Sequence, residues 1–299
     1  MQFFITQWTQ VESKSLLNAI EQFKIIKPGT RVFIKPNFTF PFFKQGVTTP
    51  PDFIKALVEI LVERDADVTI GEGGASLDVF DLDDSFVDHG IYELEKDYRV
   101  RVVHLRKLPV ANLSFGSKKS GQGVPIPRLL LEETDLLINL PVAKVHAMTK
   151  VTLAIKNLWG CIAAHKRFLF HPSFNDIVHG MTRILPPQLI LCDGRYVLTD
   201  NGPMFGTTKP GAFLAAADDP GTFDVAMCRL MGFDPWNVGH IRYFIDRGNA
   251  PSGWQTIDYN ADPAEFRPCE FALKRTLQNY IALSGFHSSL ITWFGYDSF

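Results

Sequence analysis

From Leu136 to Asn175 the chain reads LLINLPVAKVHAMTKVTLAIKNLWGCIAAHKRFLFHPSFN, with Lys144, His146, Lys150, Lys156, His165, Lys166, Arg167 and His171 and no Asp or Glu to balance them. Cations gathered this way suit three kinds of chemistry. A lysine beside a bound anion keeps its charge and clamps the ligand, whereas a partly desolvated lysine loses its proton more easily and works as a base. A histidine titrates near the working pH and moves protons. The third use is metal ligation. His146, His171, Asp193 and Glu72, with His165 and Asp219, supply nitrogen and oxygen donors, but no H-x-x-x-H or H-E-x-x-H spacing fixes a site.

The rest of the chain says where these groups stand. It has 299 residues, 46% of them hydrophobic, enough for one large α/β domain or two smaller ones. A net charge of -2 gives no global basic field to draw it onto nucleic acid or an anionic membrane, so the basic segment is local. No run of about 18 apolar residues suggests a membrane span and no charged leader is seen, so a cytoplasmic protein is expected. Cys161, Cys192, Cys228 and Cys269 are widely spaced and form no iron–sulfur or zinc-ribbon pattern.

Apolar runs alternate with helical patterns. RVFIK, DVTIG, VRVVHL, DLLINL, QLILCDG and GAFLAAADD read as strands. PPDFIKALVEILVERDAD, TKVTLAIKNLWG, FNDIVHGMTRIL and PGTFDVAMCRLMG read as helices. The expected fold is α/β: a mixed, mostly parallel sheet with crossover helices on both faces, and an aromatic-rich C-terminal extension. Residues 1–248 would form the core domain, and 249–299 would pack on it. In such sheets ligands sit at the carboxyl ends of strands. Lys35 and Asn37, Glu72, Lys144 and His146, Asp193, and Asp218 with Asp219 each follow an apolar run, which directs them toward one edge. If the segment after His146 is a helix, Thr149, Thr152, Lys156 and Gly160 share a face whose N-terminal start favours a phosphate or carboxylate. His165 and Lys166 follow, and Ser173 is the expected N-cap of the next helix.

Nucleotide signatures are missing. GEGGAS, from Gly71, does not fit G-x-G-x-x-G and reads as a turn exposing Glu72. GSKKSGQG, from Gly116, lacks Walker spacing and reads as a hairpin or loop. There is no G-x-S-x-G elbow.

VFIKPNFTF, GVTTPPDFIKALVEIL, LLINLPVAKVHAMTKVTLAIKNLWGCI, FHPSFNDIV, LILCDGRYVLTDNGPMFGT and AADDPGTFDVAMCRLMGFDP come in the order of the blocks of the domain-of-unknown-function family DUF362. The chain resembles that family from Pro28 through Pro235, most specifically in LP-x-x-K-x-H and K-N-x-x-G. The resemblance implies an α/β fold and a shared site drawing on Lys35, Asn37, Thr48, Thr49, Lys144, His146, Thr152, Lys156, Asn157, His171, Asp193, Asp219 and Asp224. The ferredoxin-like module of some members is absent here. The insert FTFPFFKQG departs from the family pattern, and its Phe40 and Phe42 offer an apolar wall to a substrate.

The expectation is an enzyme that binds a small carboxylated or phosphorylated molecule and performs isomerisation, elimination, cyclisation or group transfer. His146, Lys144 and Lys35 are the expected catalytic groups, with His146 moving the proton. Asn37, Thr49, Thr149, Thr152, Lys156, Asn157, Lys166, Phe40 and Phe42 are expected to bind substrate. Alternatives are a redox protein using a partner's cofactor or cluster, a metal-dependent enzyme, and a non-catalytic anion-binding module. A divalent metal and a homo-oligomer stay open; no nucleic-acid or membrane partner is expected.

Overall fold

The computed structural model describes residues 1–74, 80–115 and 123–273. The first strands and helices are β1 (Gln2–Gln7), α1 (Ser13–Glu21), β2 (Arg31–Lys35), α2 (Pro51–Val62), β3 (Asp67–Glu72), α3 (Leu82–Asp88), α4 (Ile91–Tyr98) and β4 (Arg101–His104). A small pair, β5 (Val110–Leu113) and β6 (Val124–Pro127), and the short α5 (Arg128–Glu132) lead to β7 (Leu136–Asn139). Next come β8 (Lys144–His146), β9 (Lys150–Thr152), α6 (Ala154–Asn157) and α7 (Phe174–Ile184). β10 (Leu189–Thr199), β11 (Thr207–Ala217), α8 (Pro220–Met231), α9 (Gly239–Ile245) and β12 (Asp258–Tyr259) complete the described chain.

The main sheet runs β12-β1-β11-β10-β7-β2-β3-β4. From β10 through β4 neighbouring strands are parallel, while β11 is antiparallel to both β10 and β1. The fold is α/β with a mixed, mostly parallel sheet. Side-chain alternation along the central strands explains the two cores. Val32 and Ile34 of β2 face a core shared with α1 to α4, whereas Phe33 and, on β7, Leu137 face one shared with α5 to α9. Both faces are covered, which is why these strands read as continuous apolar runs.

Helix α2 begins as its sequence suggests, with Pro51 in the first turn and Phe53, Ile54, Leu57, Val58 and Leu61 buried. The segment after His146 does not. Lys150–Thr152 is a strand that folds back antiparallel on β8, pairing Lys144 with Thr152 and His146 with Lys150. The helix is only the single turn Ala154–Asn157, continued by the 3-10 turn Leu158–Cys161. Val145 and Val151, paired across the hairpin, both belong to the core, so strand alternation satisfies the apolar residues that had suggested a helix. The expected shared helical face from Thr149 to Gly160 therefore does not exist.

Of the C-terminal segment, residues 249–273 are described. β12 adds an edge strand parallel to β1, and Asp262 binds Arg229 of α8 at 3.0 Å. The loop GSKKSGQG lies outside the described residues except for Gly123.

Backbone crowding holds the β8–β9 hairpin in place. A Cβ on Gly202 would lie 1.9 Å from the carbonyl oxygen of Val145, and Ala147 N–H donates to the Gly202 carbonyl at 3.2 Å. Gly202→Ala is expected to destabilise the fold by ~1–3 kcal/mol, read as a lower denaturation midpoint with an unchanged slope.

Candidate active site

Three lysines converge on the interior and are satisfied in three different ways. Lys35, at the end of β2, is fully buried, and its Nζ donates to Glu72 Oε2 at 2.5 Å and to the Pro36 carbonyl at 2.6 Å. Glu72 is not exposed by the glycine-rich turn, as its sequence had suggested, but buried at 3% exposure. It also accepts the amides of Gly73 at 2.8 Å and Phe38 at 3.3 Å. The turn after α6 lies flat on this pair: a Cβ on Gly160 would sit 2.6 Å from Glu72 Oε1 and 2.7 Å from Lys35 Nζ. Lys35, expected as a catalytic group, is thus held by a carboxylate partner in direct contact.

Lys144, on β8, is also fully buried but has no carboxylate in contact among the described residues. Its Nζ donates to Val47 O at 2.6 Å, Thr39 Oγ1 at 2.9 Å and Asn37 Oδ1 at 3.0 Å. Three acceptors match the three protons of an ammonium. Burial, and then the charge of Lys156, push its pKa well below the ordinary value. A chain of amides extends from it. Asn37 Nδ2 donates to Asn157 Oδ1 at 2.9 Å, Asn157 Nδ2 to Asn139 Oδ1 at 2.7 Å, and Asn139 Nδ2 to the Ala154 carbonyl at 2.9 Å. Asn37 and Asn157, expected to bind substrate, spend their amides aligning β2, β7 and α6. Thr49 does similar work, accepting from Asn37 N at 2.8 Å and donating to Leu140 O at 2.9 Å.

Lys156 is different. It projects from α6, is half-buried, and among the described residues makes no hydrogen bond or ion pair. Burial, and then Arg167, lower its pKa to about 7. Its field reaches Lys144, His146, His171 and His240, each of which it pushes down. No carboxylate among the described residues offsets it. The N-terminus of α6 is not open to an anion, however, because Asp224 of α8 accepts the amides of Ala154 at 2.8 Å and Ile155 at 3.3 Å.

The histidines stay neutral for stated reasons. Burial first, then Lys156 and Lys144, holds His146 well below its ordinary pKa. Its Nδ1 accepts the amides of Met148 at 3.1 Å and Thr149 at 3.4 Å, which places the proton on Nε2. His146 therefore presents an N–H donor at neutral pH, not the titrating base its sequence suggested. His171 stacks on Trp159 with centroids 5.5 Å apart and is pushed down to about 4 by burial and Lys156. Buried His240 falls to about 3 and approaches Asp224 only to 3.9 Å.

The remaining expectations sort by geometry. Thr149 closes the hairpin turn, donating to Val151 O at 3.0 Å. Thr152 is buried with its hydroxyl unpartnered, as are Trp159 Nε1 and His240 Nε2. Lys166 is exposed, and the neighbouring Arg167 turns inward instead, donating to the carbonyls of Gly74, Gly160 and Ile162. Phe40 is buried, edge-on to Phe42 at 4.7 Å and packed with Val47 and Leu198, so it is core rather than an open wall. Asp193 is bound by Arg195 at 2.7 Å, which also holds Asp52 of α2 at 2.6 Å. Asp219 caps α8, accepting from Thr222 N at 2.7 Å. Ser173 stands at the N-cap of α7 without a side-chain cap bond, and Asp176 accepts from Tyr243. His146, His171, Asp193 and Glu72 do not form a ligand set: among the described residues no three His, Cys, Asp or Glu side chains are grouped to hold a metal ion. Sequence reasoning missed Arg167 as the inward cation, and also His240, Asn139, Thr39 and Trp159. No helix among the described residues is long and apolar enough to cross a membrane.

A family model described as "Domain of unknown function (DUF362)" matches residues 32–229, which include Lys35, Lys144, Lys156 and Asp224. The chain belongs to this family. It is similar, at 24% identity over 277 residues, to the thylakoid-associated protein sll1697 of Synechocystis sp., the match covering 85% of this chain and 83% of that protein. A Thermotoga maritima crystal structure from a structural genomics programme is 13% identical with a TM-score of 0.39, covering 66% of this chain and 53% of the other, a likeness too slight to carry an argument.

Lys35→Met, which strands Glu72 in the interior, is expected to cost ~3–5 kcal/mol by chemical denaturation. Lys35→Met with Glu72→Gln removes the unpaired charge while keeping an acceptor for one of the two amides, Phe38 or Gly73, and is expected to recover at least ~1 kcal/mol of that loss.

Proposed function

We propose that this DUF362 protein is an enzyme that binds a small carboxylated or phosphorylated molecule against Lys156 and performs acid–base chemistry on it. One observation carries the reading: a half-buried amine that makes no hydrogen bond or ion pair among the described residues, and is set among other cations, is stabilised by an anion that comes with the ligand. Lys144, its Nζ held in place by Asn37, Thr39 and Val47, lies within the field of Lys156. His146 supplies its Nε2–H to an oxygen of the ligand. The unpartnered Thr152 hydroxyl and Trp159 N–H are further sources of hydrogen bonds for ligand oxygens. An amine with a pKa of about 7 accepts and returns protons at neutral pH, which suits isomerisation, elimination, cyclisation or group transfer. The four free cysteines fit a reducing compartment, and we assign the protein to the cytoplasm. The name of the Synechocystis relative ties that protein to thylakoids, and cell fractionation distinguishes the two locations.

The pH dependence of anion binding tests the reading, with the sign set by Lys156. The protonated amine attracts the ligand, so binding is complete below a pKa of about 7 and fades as pH rises through it. His171, at about 4, and His240, at about 3, remain neutral throughout that window. Thermal stabilisation by phosphate, sulfate or acetate is expected to weaken at least ~5-fold in apparent affinity from pH 6 to pH 8, and to vanish in Lys156→Ala. Equal stabilisation at both pH values, or an unaltered response in the variant, removes Lys156 from the site. Binding without turnover across a panel of anionic substrates would leave an anion-binding module.

A further inference from the structure

The acid-free segment from Leu136 to Asn175 holds cations that the candidate site does not use. Lys166 is exposed and Lys150 half-buried, and neither side chain makes a hydrogen bond or ion pair among the described residues. Close to Lys166 stand Phe168, 38% exposed, and Leu169, 64% exposed, the one adjacent pair of large apolar residues left exposed among the described residues. The 3-10 stretch Arg167–Ser173 sets them there. With three residues per turn, Arg167, Phe170 and Ser173 share a side, and that side turns inward: Arg167 and Ser173 are buried and Phe170 packs on the core. Phe168 and Leu169 are left toward solvent. The stretch is fastened from beneath by the Arg167 guanidinium, which donates to the carbonyls of Gly74, Gly160 and Ile162, and by His171 stacked on Trp159. This anchoring keeps the apolar pair from folding back onto the core. Met148, 46% exposed, stands in the turn of the β8–β9 hairpin just beyond His146, and His171 is close enough to His146 for its charge to act there. The hairpin turn and the 3-10 stretch therefore lie on one edge of the molecule.

We infer that this edge seats the protein on an anionic lipid surface, with Phe168, Leu169 and Met148 entering the headgroup region and Lys166 and Lys150 facing lipid phosphates. An apolar pair flanked by cations, in a segment without one acid, complements a bilayer that offers acyl chains and negative headgroups together. Protein interfaces ring an apolar centre with a polar rim, whereas charge of one sign around the pair matches a surface of the other sign. The net charge of -2 supplies no global attraction, so the contact is confined to this edge, a departure from the expectation of no membrane partner. Contact in the headgroup region needs no span, in keeping with described helices none of which is long and apolar enough to cross a membrane. The inference makes no use of the charge state of Lys156 and is independent of the proposed reaction.

The test is co-sedimentation of the full chain with vesicles of phosphatidylcholine alone and of phosphatidylcholine with phosphatidylglycerol in equal parts. The anionic vesicles are expected to bind at least ~10-fold more tightly than the neutral ones, and that advantage to shrink as sodium chloride is raised to about 0.5 M. Phe168→Ser with Leu169→Ser is expected to weaken binding to the anionic vesicles at least ~10-fold, and Lys166→Glu at least ~3-fold. All three side chains are exposed, so the variants are expected to keep the thermal midpoint of the parent chain. Equal binding to neutral and anionic vesicles, or undiminished binding by the double variant, overturns the inference. A dimer in analytical sedimentation that the double variant abolishes, with no vesicle binding, assigns the patch to a second copy of the chain and overturns it as well. The comparison of the two vesicles is made on the unaltered protein and does not depend on a variant that folds.

Discussion

Holding a half-buried ammonium with no carboxylate partner among the described residues is costly, and the architecture around α6 is arranged to tolerate that cost at Lys156. The first two lysines have their nitrogens already satisfied by protein partners. Lys35 is held by Glu72 at 2.5 Å and Lys144 by three neutral oxygens, so neither can turn to accommodate a third cation. The amide chain from Asn37 through Asn157 to Asn139 fixes the spacing between the strands and α6. Asp224, the acid nearest the start of α6, is occupied by the amides of Ala154 and Ile155. Among the described residues Lys156 is left without a hydrogen-bond or ion-pair partner.

The neutral histidines follow from the same field. His146, His171 and His240 each lose proton affinity through burial and through Lys156, so the cluster sets Lys156 among imidazoles held uncharged. The unpartnered Thr152 hydroxyl, Trp159 N–H and His240 nitrogen belong to the elements around that amine, as expected of a surface completed by a polar ligand.

Much of this was legible in the sequence because it depended on local pattern. Pro51 and the spacing of Phe53, Ile54, Leu57 and Leu61 define α2, and apolar runs buried on both faces define the parallel strands. The acid-free segment marked Lys144, His146 and Lys156 as one group. What stayed hidden depends on register and tertiary contact. Glu72 meets Lys35 across 37 residues, and only the pairing of β2 with β3 brings them together. The K-V-T of β9 carries a spacing that fits a helix equally well, and pairing with β8 decides it. Lys166 and Arg167 are adjacent in sequence, and the 3-10 turn beginning at Arg167, which does not follow a 3.6-residue period, turns Arg167 inward. His240 comes from α9, far along the chain, and no motif points to it.

The most direct test is a pH titration of the Lys156 amine by nitrogen-detected NMR, with and without phosphate, assigned by comparison with Lys156→Arg. The ligand-free amine is expected to titrate near 7 and to move upward when phosphate binds. An amine that keeps its proton to the ordinary lysine value, and does not respond to phosphate, would contradict the account.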